Sequence, residues 1–113
     1  MSGISTHILD TSLGLPAESV PITLEESNGG EWRELSTKST DADGRVGQML
    51  PAGEGLGCRK YRLTFHTQAY FDTQGVQGLY PVVQVTFTVS DATGHYHIPL
   101  LLTANGYSTY RGS

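Results

Sequence analysis

The sequence lacks several features that would assign it to familiar classes of protein. It has a single cysteine, Cys58, so no disulfide can form within the chain and a disulfide-stapled scaffold is excluded. No apolar run approaches the roughly 20 residues of a membrane-spanning helix, since IPLLL at 98–102 is only long enough for a core strand. The first residues lack the basic and apolar regions of a secretory signal, and the last three are not a Ser-Lys-Leu address. We therefore expect a cytoplasmic protein.

Charge is also scarce. Charged residues make up 16% of the sequence, the formal net charge is −4, and the seven basic residues are scattered. Without a basic cluster, nucleic acid and anionic membrane are poor candidates as partners. The hydrophobic content of 37% suits a folded chain, and 113 residues allow one domain, at 1–113, with one modest core.

Short stretches of alternating polar and apolar residues fill most of the chain. They predict strands at 5–11, 20–27, 31–40, 59–67, 80–90, 95–104 and 107–110. A turn at Asn28-Gly29-Gly30 joins the second and third strands as a hairpin, and one helical segment at 68–75 ends at Gly75. This number and spacing of strands predict an all-β sandwich.

The strand at 95–104 has apolar residues on both faces. One face carries aliphatic residues that suit a core, while the opposite face combines His97 with Pro99 and Leu101. Because this second face should meet water in a two-layer sandwich, we expect a partner subunit to cover it. Pro99 also removes a ladder donor, which predicts that the strand is at a sheet edge or locally unpaired.

Histidines are the first candidates for chemistry. His95 and His97 lie two residues apart on one strand face, a spacing that zinc sites use, and His7 could supply a third ligand. The alternative is a pair of solvated histidines, since no cysteine or further histidine completes a known metal signature. A Ser-His-Asp hydrolase is disfavoured because the Gly-x-Ser-x-Gly motif is absent.

Three further features have both a functional and an ordinary interpretation. Arg45 follows a tight Asp43-Gly44 turn and is either solvated or positioned to bind a carbonyl or anionic oxygen bidentately. Cys58 is interpreted as a buried small side chain or a loop thiol. The last eight residues, GYSTYRGS, carry hydroxyls and a guanidinium where chain ends usually tolerate change, which indicates a segment with a defined place.

The sequence resembles the 5-hydroxyisourate hydrolases, transthyretin-like enzymes of purine degradation, in four stretches: STHILDTSLGLPA, TDADGRVG, HYHIPLLL and YSTYRGS. The resemblance runs in order from about residue 5 to residue 113. The terminal Tyr-Arg-Gly-Ser is its most specific part, because it separates the enzyme from transthyretin, the hormone carrier of the same fold. The resemblance implies a sandwich of two four-stranded sheets with one short helix. It also implies a homotetramer whose active sites line a central channel and are built from more than one chain.

The activity that this resemblance implies is hydrolysis of the small cyclic molecule 5-hydroxyisourate to 2-oxo-4-hydroxy-4-carboxy-5-ureidoimidazoline. No cofactor or metal is required. The matching positions imply a set of catalytic residues, namely His7, Arg45, His97 and Ser113. They also imply a set of substrate-binding residues, namely Tyr110, Arg45, Gly112 and Arg111, while His95 is a neighbour rather than a match.

Under this hypothesis either His7 or His97 is the general base, and Arg45 stabilises the oxyanion. Tyr110 and Ser113 orient the substrate or pass on a proton, and Gly112 lets the backbone approach the ligand. Arg111 is interpreted either as a structural salt-bridge residue or as a residue that anchors the terminal segment. Two other functions stay open: a carrier of an aromatic hormone, which would need an apolar channel, and an adhesion domain, whose last residues would be dispensable.

Overall fold

Nine strands and one helix form the regular structure of the chain in a computed structural model, which describes residues 2–113. The first five strands are β1 (Gly3–Asp10), β2 (Leu15–Pro16), β3 (Pro21–Asn28), β4 (Glu31–Ser39) and β5 (Arg45–Val46). The second half of the chain contains β6 (Lys60–Phe65), α1 (Thr67–Gln74), β7 (Val83–Thr88), β8 (His95–Leu102) and β9 (Tyr107–Thr109).

The strands form two sheets. The first sheet has the order β2-β1-β8-β9, with β5 also paired to β1, and the second has the order β4-β3-β6-β7. All pairs are antiparallel except β1 and β8, which run parallel over their whole length. The prediction of an all-β sandwich with one short helix is confirmed, and the two-residue strand β5 makes the first sheet five-stranded.

The core lies between the two sheets and follows from the alternation within each strand. Ile4 and Ile8 of β1 are fully buried, as are Leu63 of β6 and Leu100 of β8. Complete burial of one such side chain contributes about 1.5–3 kcal/mol to folding, so these residues fix which face of each strand points inward. The side chains that alternate with these inward residues, such as Ser5 and His7 in β1, are therefore directed to the outer faces of the sheets.

Glycines end two of the predicted elements. The β3–β4 hairpin turns at Gly29 and Gly30, whose φ angles are +64° and +90°. Helix α1 ends at Gly75 in the left-handed conformation, where its N–H donates to the carbonyls of Asp72 and Phe71. Both turn predictions are confirmed, since only glycine adopts these backbone conformations without strain.

The prediction for β8 is half right. This strand is not at an edge, because it lies between β1 and β9. Its ladder with β9 covers Leu100–Leu102 and resumes only at a bridge between His97 and Gly112, so Pro99 falls in the gap between them. Local interruption of the ladder therefore accommodates the missing N–H.

The cover over Pro99 comes from the same chain. Pro99 is buried in the single subunit, its carbonyl accepts a hydrogen bond from Thr109 Oγ1 at 2.6 Å, and the backbone of Gly112 passes close to its ring. The C-terminal segment therefore covers Pro99 itself. His97 and Leu101 on the same face stay partly exposed, so the expected cover by a partner subunit stays a prediction for them.

Candidate active site

The parallel pairing of β1 and β8 brings the histidine-bearing faces of the two strands together. Ser5 lies opposite His97, and His7 lies opposite Pro99. Because Ile4 and Ile8 are in the core, the alternate residues Ser5 and His7 belong to the outer face of the first sheet. This face carries the candidate site.

A tight turn places Arg45 beside these residues. Asp41 Oδ1 accepts hydrogen bonds from the backbone N–H groups of Asp43 at 2.9 Å and Arg45 at 3.0 Å. Gly44 has φ of +75°, and a Cβ there would come within 2.5 Å of the carbonyl oxygen of Ile8. The turn therefore packs directly on β1, and in the resulting register Arg45 is opposite His7.

The C-terminal segment closes the other side of the site. The N–H of Gly112 donates to the carbonyl of His97 at 2.8 Å, and a Cβ at Gly112 would lie 2.5 Å from His97 Cδ2. Glycine is needed here for close approach, as expected, but the group that it approaches is the His97 ring. The next residue, Ser113, reaches the cleft.

The resulting cleft has a volume of about 240 Å³ and is lined by Ser5, Thr6, Arg45, Val46, Gly47, His95, His97 and Ser113. Three of the four predicted catalytic residues thus share one cleft: Arg45, His97 and Ser113. His7 is not among the lining residues, although it is adjacent to Arg45 across the β1–β5 ladder.

The structure does not bring the predicted substrate-binding residues Tyr110 and Arg111 into this cleft. Tyr110 is 57% exposed. The Arg111 guanidinium stacks 4.2 Å from the centre of the Tyr96 ring, and its Nη2 donates to the His95 carbonyl at 3.4 Å. Within residues 2–113 no carboxylate forms a salt bridge with it, so Arg111 holds the terminal segment through an aromatic ring.

Ser5 is a site residue that was not among the predicted ones. Its Oγ lies 2.7 Å from His97 Nδ1 and 2.8 Å from His95 Nε2, so one hydroxyl connects both rings. The alternation of STH places Ser5 on the face of His7, which is the signal in the sequence. The sequence alone does not predict the contact of Ser5 with β8, because this contact depends on parallel pairing of strands that are about 90 residues apart.

Burial and nearby positive charge act on His97 in the same direction. Burial of the ring lowers its pKa below the ordinary 6.5, and the charges of Arg45, His7 and His95 lower it further. A lowered pKa keeps the imidazole neutral at neutral pH, which is the form that accepts a proton. The cleft therefore offers a neutral base beside a guanidinium.

Other candidates from the sequence acquire no chemical role. No group of three or more His, Cys, Asp or Glu side chains within residues 2–113 has the arrangement of a metal site. Cys58 is exposed in a loop, with Sγ 3.6 Å from the carbonyl of Ser90, so it is a loop thiol. In the same part of the chain no helix is long and apolar enough to span a membrane.

Fold and site together define a two-sheet β-sandwich protein that carries groups for acid–base chemistry on the outer face of one sheet. Residues 4–112 match the HIUase/Transthyretin family, and the chain belongs to this family. The chain is 43% identical over 117 residues to a 5-hydroxyisourate hydrolase of Caulobacter vibrioides, with all of both chains covered.

Solved structures of this family superpose on the whole chain. The 5-hydroxyisourate hydrolase of Klebsiella pneumoniae has a TM-score of 0.84 and 39% identity, covering 100% of this chain and 94% of that one. Transthyretin of Sparus aurata has a TM-score of 0.91 and 30% identity, covering 99% and 97%. Since both superpose well, the backbone alone does not separate enzyme from transthyretin, and the side chains of the site must do so.

Proposed function

We propose that this protein is a 5-hydroxyisourate hydrolase, which adds water across an N–C(=O) bond of the six-membered ring to give the ureidoimidazoline acid. The observation that carries the proposal is the meeting of Arg45, His97 and Ser113 in one cleft, with His7 next to Arg45. The relatives at about 40% identity over nearly the whole chain support it, because they bear the name of this activity.

The first chemical task is to activate water. Neutral His97 takes a proton from a water molecule as the new C–O bond forms, with His7 as the alternative base. When the C–N bond breaks, the proton returns to the leaving ring nitrogen. A positioned base of this kind typically contributes about 10²–10⁴-fold to the rate.

The second task is to stabilise the oxyanion that develops on the attacked carbonyl. Arg45 is exposed, and within residues 2–113 its guanidinium forms no salt bridge with a carboxylate. Its donors are therefore available to a ligand, and it follows a turn whose backbone is fixed by Asp41. Loss of one such donor typically costs about 3 kcal/mol of transition-state stabilisation.

The terminal segment supplies the remaining polar groups. Ser113 lines the cleft, where its hydroxyl orients the substrate or passes on a proton. Tyr110 lies outside the cleft of its own chain and is exposed, which leaves its hydroxyl available to the site of a neighbouring subunit. Gly112 and Arg111 act by placing this segment against His97 and Tyr96.

A homotetramer with sites in a shared channel agrees with the distribution of exposed apolar side chains. Tyr80 and Val82, which precede the edge strand β7, are 39% and 42% exposed, and Tyr107 in the edge strand β9 is 45% exposed. Leu15 in the edge strand β2 and the nearby Leu13 are more than half exposed. Apolar groups at unpaired sheet edges suit contact with other copies of the chain. The cytoplasmic location stays a prediction from the sequence.

The alternative function is that of a carrier, which the close superposition on transthyretin favours. A carrier of an aromatic hormone would need an apolar site. The cleft instead presents two imidazoles, a guanidinium and hydroxyls, so hydrolysis is the better assignment.

The absorbance of freshly generated 5-hydroxyisourate tests the proposal. Urate and urate oxidase produce the intermediate, and the full chain should accelerate its decay. A chain that ends at residue 109 should lose nearly all of this acceleration while keeping its β-sheet circular dichroism. No acceleration by the full chain would contradict the proposed function, and full activity of the shortened chain would contradict the role of the terminal segment.

A further inference from the structure

We propose that Ser5 is a positioning residue, which sets the tautomer of His97 and connects it to His95 as a path for the proton. The proposal deepens the proposed function and rests on it for the identity of the reaction. It adds two residues, Ser5 and His95, to those that the resemblance implies.

The geometry places one hydroxyl between two imidazoles. Ser5 Oγ lies 2.7 Å from His97 Nδ1 and 2.8 Å from His95 Nε2, and both separations are those of good hydrogen bonds. The residue is 7% exposed, so water has little access to compete for the hydroxyl. His95 is exposed, so the outer end of the chain of hydrogen bonds is in contact with solvent.

A hydroxyl has one proton, and this limits the arrangement to two states. In the first state Ser5 donates to His97 Nδ1 and accepts from His95 Nε2. In the second state His97 Nδ1–H donates to Ser5, and Ser5 donates to His95 Nε2. The two neutral states differ in the direction of both hydrogen bonds and in the tautomer of both rings. On going from the first state to the second, His97 also loses its Nε2 proton and His95 gains one on Nδ1, and both of these protons exchange with solvent.

The second state is the one that prepares a base. With its proton on Nδ1, neutral His97 has a bare lone pair on Nε2. Nε2 has no hydrogen-bond partner within residues 2–113, and it is not a buried unsatisfied atom there, so it is accessible to a water molecule or substrate. When Ser5 accepts from Nδ1–H, it thus holds His97 in the tautomer that can take a proton from water.

The proton balance closes over one turnover. Water gives a proton to His97 Nε2 as its oxygen bonds to the substrate carbonyl, His97 Nδ1–H passes to Ser5, and the Ser5 proton passes to His95 Nε2. His95 is then the imidazolium. As the C–N bond breaks, the leaving nitrogen takes the proton from His97 Nε2, and the two transfers reverse.

The charged groups around His97 favour this path. Arg45 from β5, His7 from β1 and His95 from its own strand all oppose a positive charge on His97, and burial acts in the same direction. Passing the proton to the exposed His95 moves the positive charge from the less exposed ring toward water. An imidazolium at His97 itself would have to form beside the guanidinium.

The test compares Ser5→Ala with Ser5→Thr, which keeps the hydroxyl, and with Thr23→Ala as a matched control. Thr23 Oγ1 contacts His66 Nε2 at 3.0 Å, so the control removes the same kind of contact outside the site. Ser5→Ala should lower kcat about 10–100-fold with KM within about threefold, because the base is misoriented rather than lost. Ser5→Thr should recover most of the rate, and Thr23→Ala should equal wild type.

Nitrogen-15 NMR of the histidine rings tests the proposal without any substrate. At a pH where His97 is neutral, the wild type should carry the proton on Nδ1, and Ser5→Ala should shift it toward Nε2. A wild-type ring protonated on Nε2, or an unchanged tautomer in Ser5→Ala, would overturn the proposal. This result is independent of the proposed function, which fails separately if the wild type does not accelerate decay of 5-hydroxyisourate.

His95→Asn separates the proton path from simple positioning. Asparagine cannot accept the proton, so kcat should fall about tenfold or more, and the solvent isotope effect should change from that of several moving protons to that of one. A wild-type rate and isotope effect in His95→Asn would overturn the path through His95.

Discussion

The two sheets use their arginines in different ways. On the second sheet, Arg33 and Arg59 both bind Glu26, with nitrogen–oxygen distances of 2.6 and 3.2 Å. Arg62 binds Glu25 at 2.8 Å and stacks on the ring of Trp32. On the first sheet, by contrast, Arg45 has no such carboxylate partner within residues 2–113.

This difference separates charge that supports the fold from charge that is available for a ligand. Glu26 is nearly buried, with a side chain that is 6% exposed, and two guanidinium groups compensate the cost of burying its carboxylate. The charge of both guanidinium groups is thus already compensated by a carboxylate within the fold. Arg45 keeps its donors, and backbone hydrogen bonds to Asp41 fix its position instead.

The largest expected effect comes from replacing one arginine on each sheet with alanine. Arg45→Ala should lower kcat by about 10²–10³-fold, because it removes the donors to the developing oxyanion. Arg62→Ala should leave kcat within about twofold and lower the free energy of unfolding by about 0.5–1 kcal/mol, the typical value of a partly exposed ion pair. Steady-state kinetics and urea unfolding measure the two quantities. Equal kinetic effects of both substitutions would remove the distinction between the faces.

Gly112 offers a finer way to disturb the same face. A methyl group at this position would lie 2.5 Å from His97 Cδ2, so Gly112→Ala must displace either the ring or the terminal segment. We expect kcat to fall about 10–100-fold, since shifts of about 1 Å at a catalytic group have effects of this size. Gly106→Ala is the matched control, because its methyl group would meet only Thr103 Oγ1 at an ordinary 3.7 Å. Wild-type kinetics for Gly112→Ala would contradict the packing of the terminal segment on His97.

The smallest effect is the pH dependence that His97 confers. Its pKa is lowered below 6.5, so kcat/KM should stay level above pH 6.5 and fall only at lower pH, as the neutral base is protonated. The free energy of unfolding changes in the same direction as pH falls. Below pH 6.5 the unfolded chain binds the proton before the folded chain does, so stability falls as pH falls through the folded pKa of His97. His97→Asn should lack this part of the stability change. An acid limb centred above pH 6.5 would contradict the lowered pKa.

Sequence patterns predict the local elements of this fold well. Alternation in KYRLTF and VQVTFT gives strands β6 and β7, and Gly75 ends the helix where expected. The pairing of distant strands is not encoded in such patterns, so the parallel contact of β1 with β8 could not be derived. Pro99 shows the consequence, since a proline in a central strand is tolerated only because the ladder with β9 is interrupted there.

The sequence predicts those residues of the candidate site that belong to the motifs of the family resemblance. Arg45, His97 and Ser113 come from motifs and do meet in the cleft, whereas Ser5 became visible only through its contacts across the sheet. Tyr110 shows the limit of a single chain, because its motif predicts a site role while its ring lies outside the cleft. A site assembled between subunits would account for this, and it stays a prediction.

The decay rate of 5-hydroxyisourate in the presence of His97→Asn and of His66→Asn tests the central claim most directly. Each of these histidines forms a hydrogen bond with a hydroxyl group. His97 does so with Ser5 on the first sheet, and His66 does so with Thr23 of the second sheet. If the outer face of the first sheet is the hydrolytic site, His97→Asn should lose at least about 10²-fold in rate, and His66→Asn should retain the wild-type rate. Retention of activity by His97→Asn, or an equal loss in His66→Asn, would contradict the assignment.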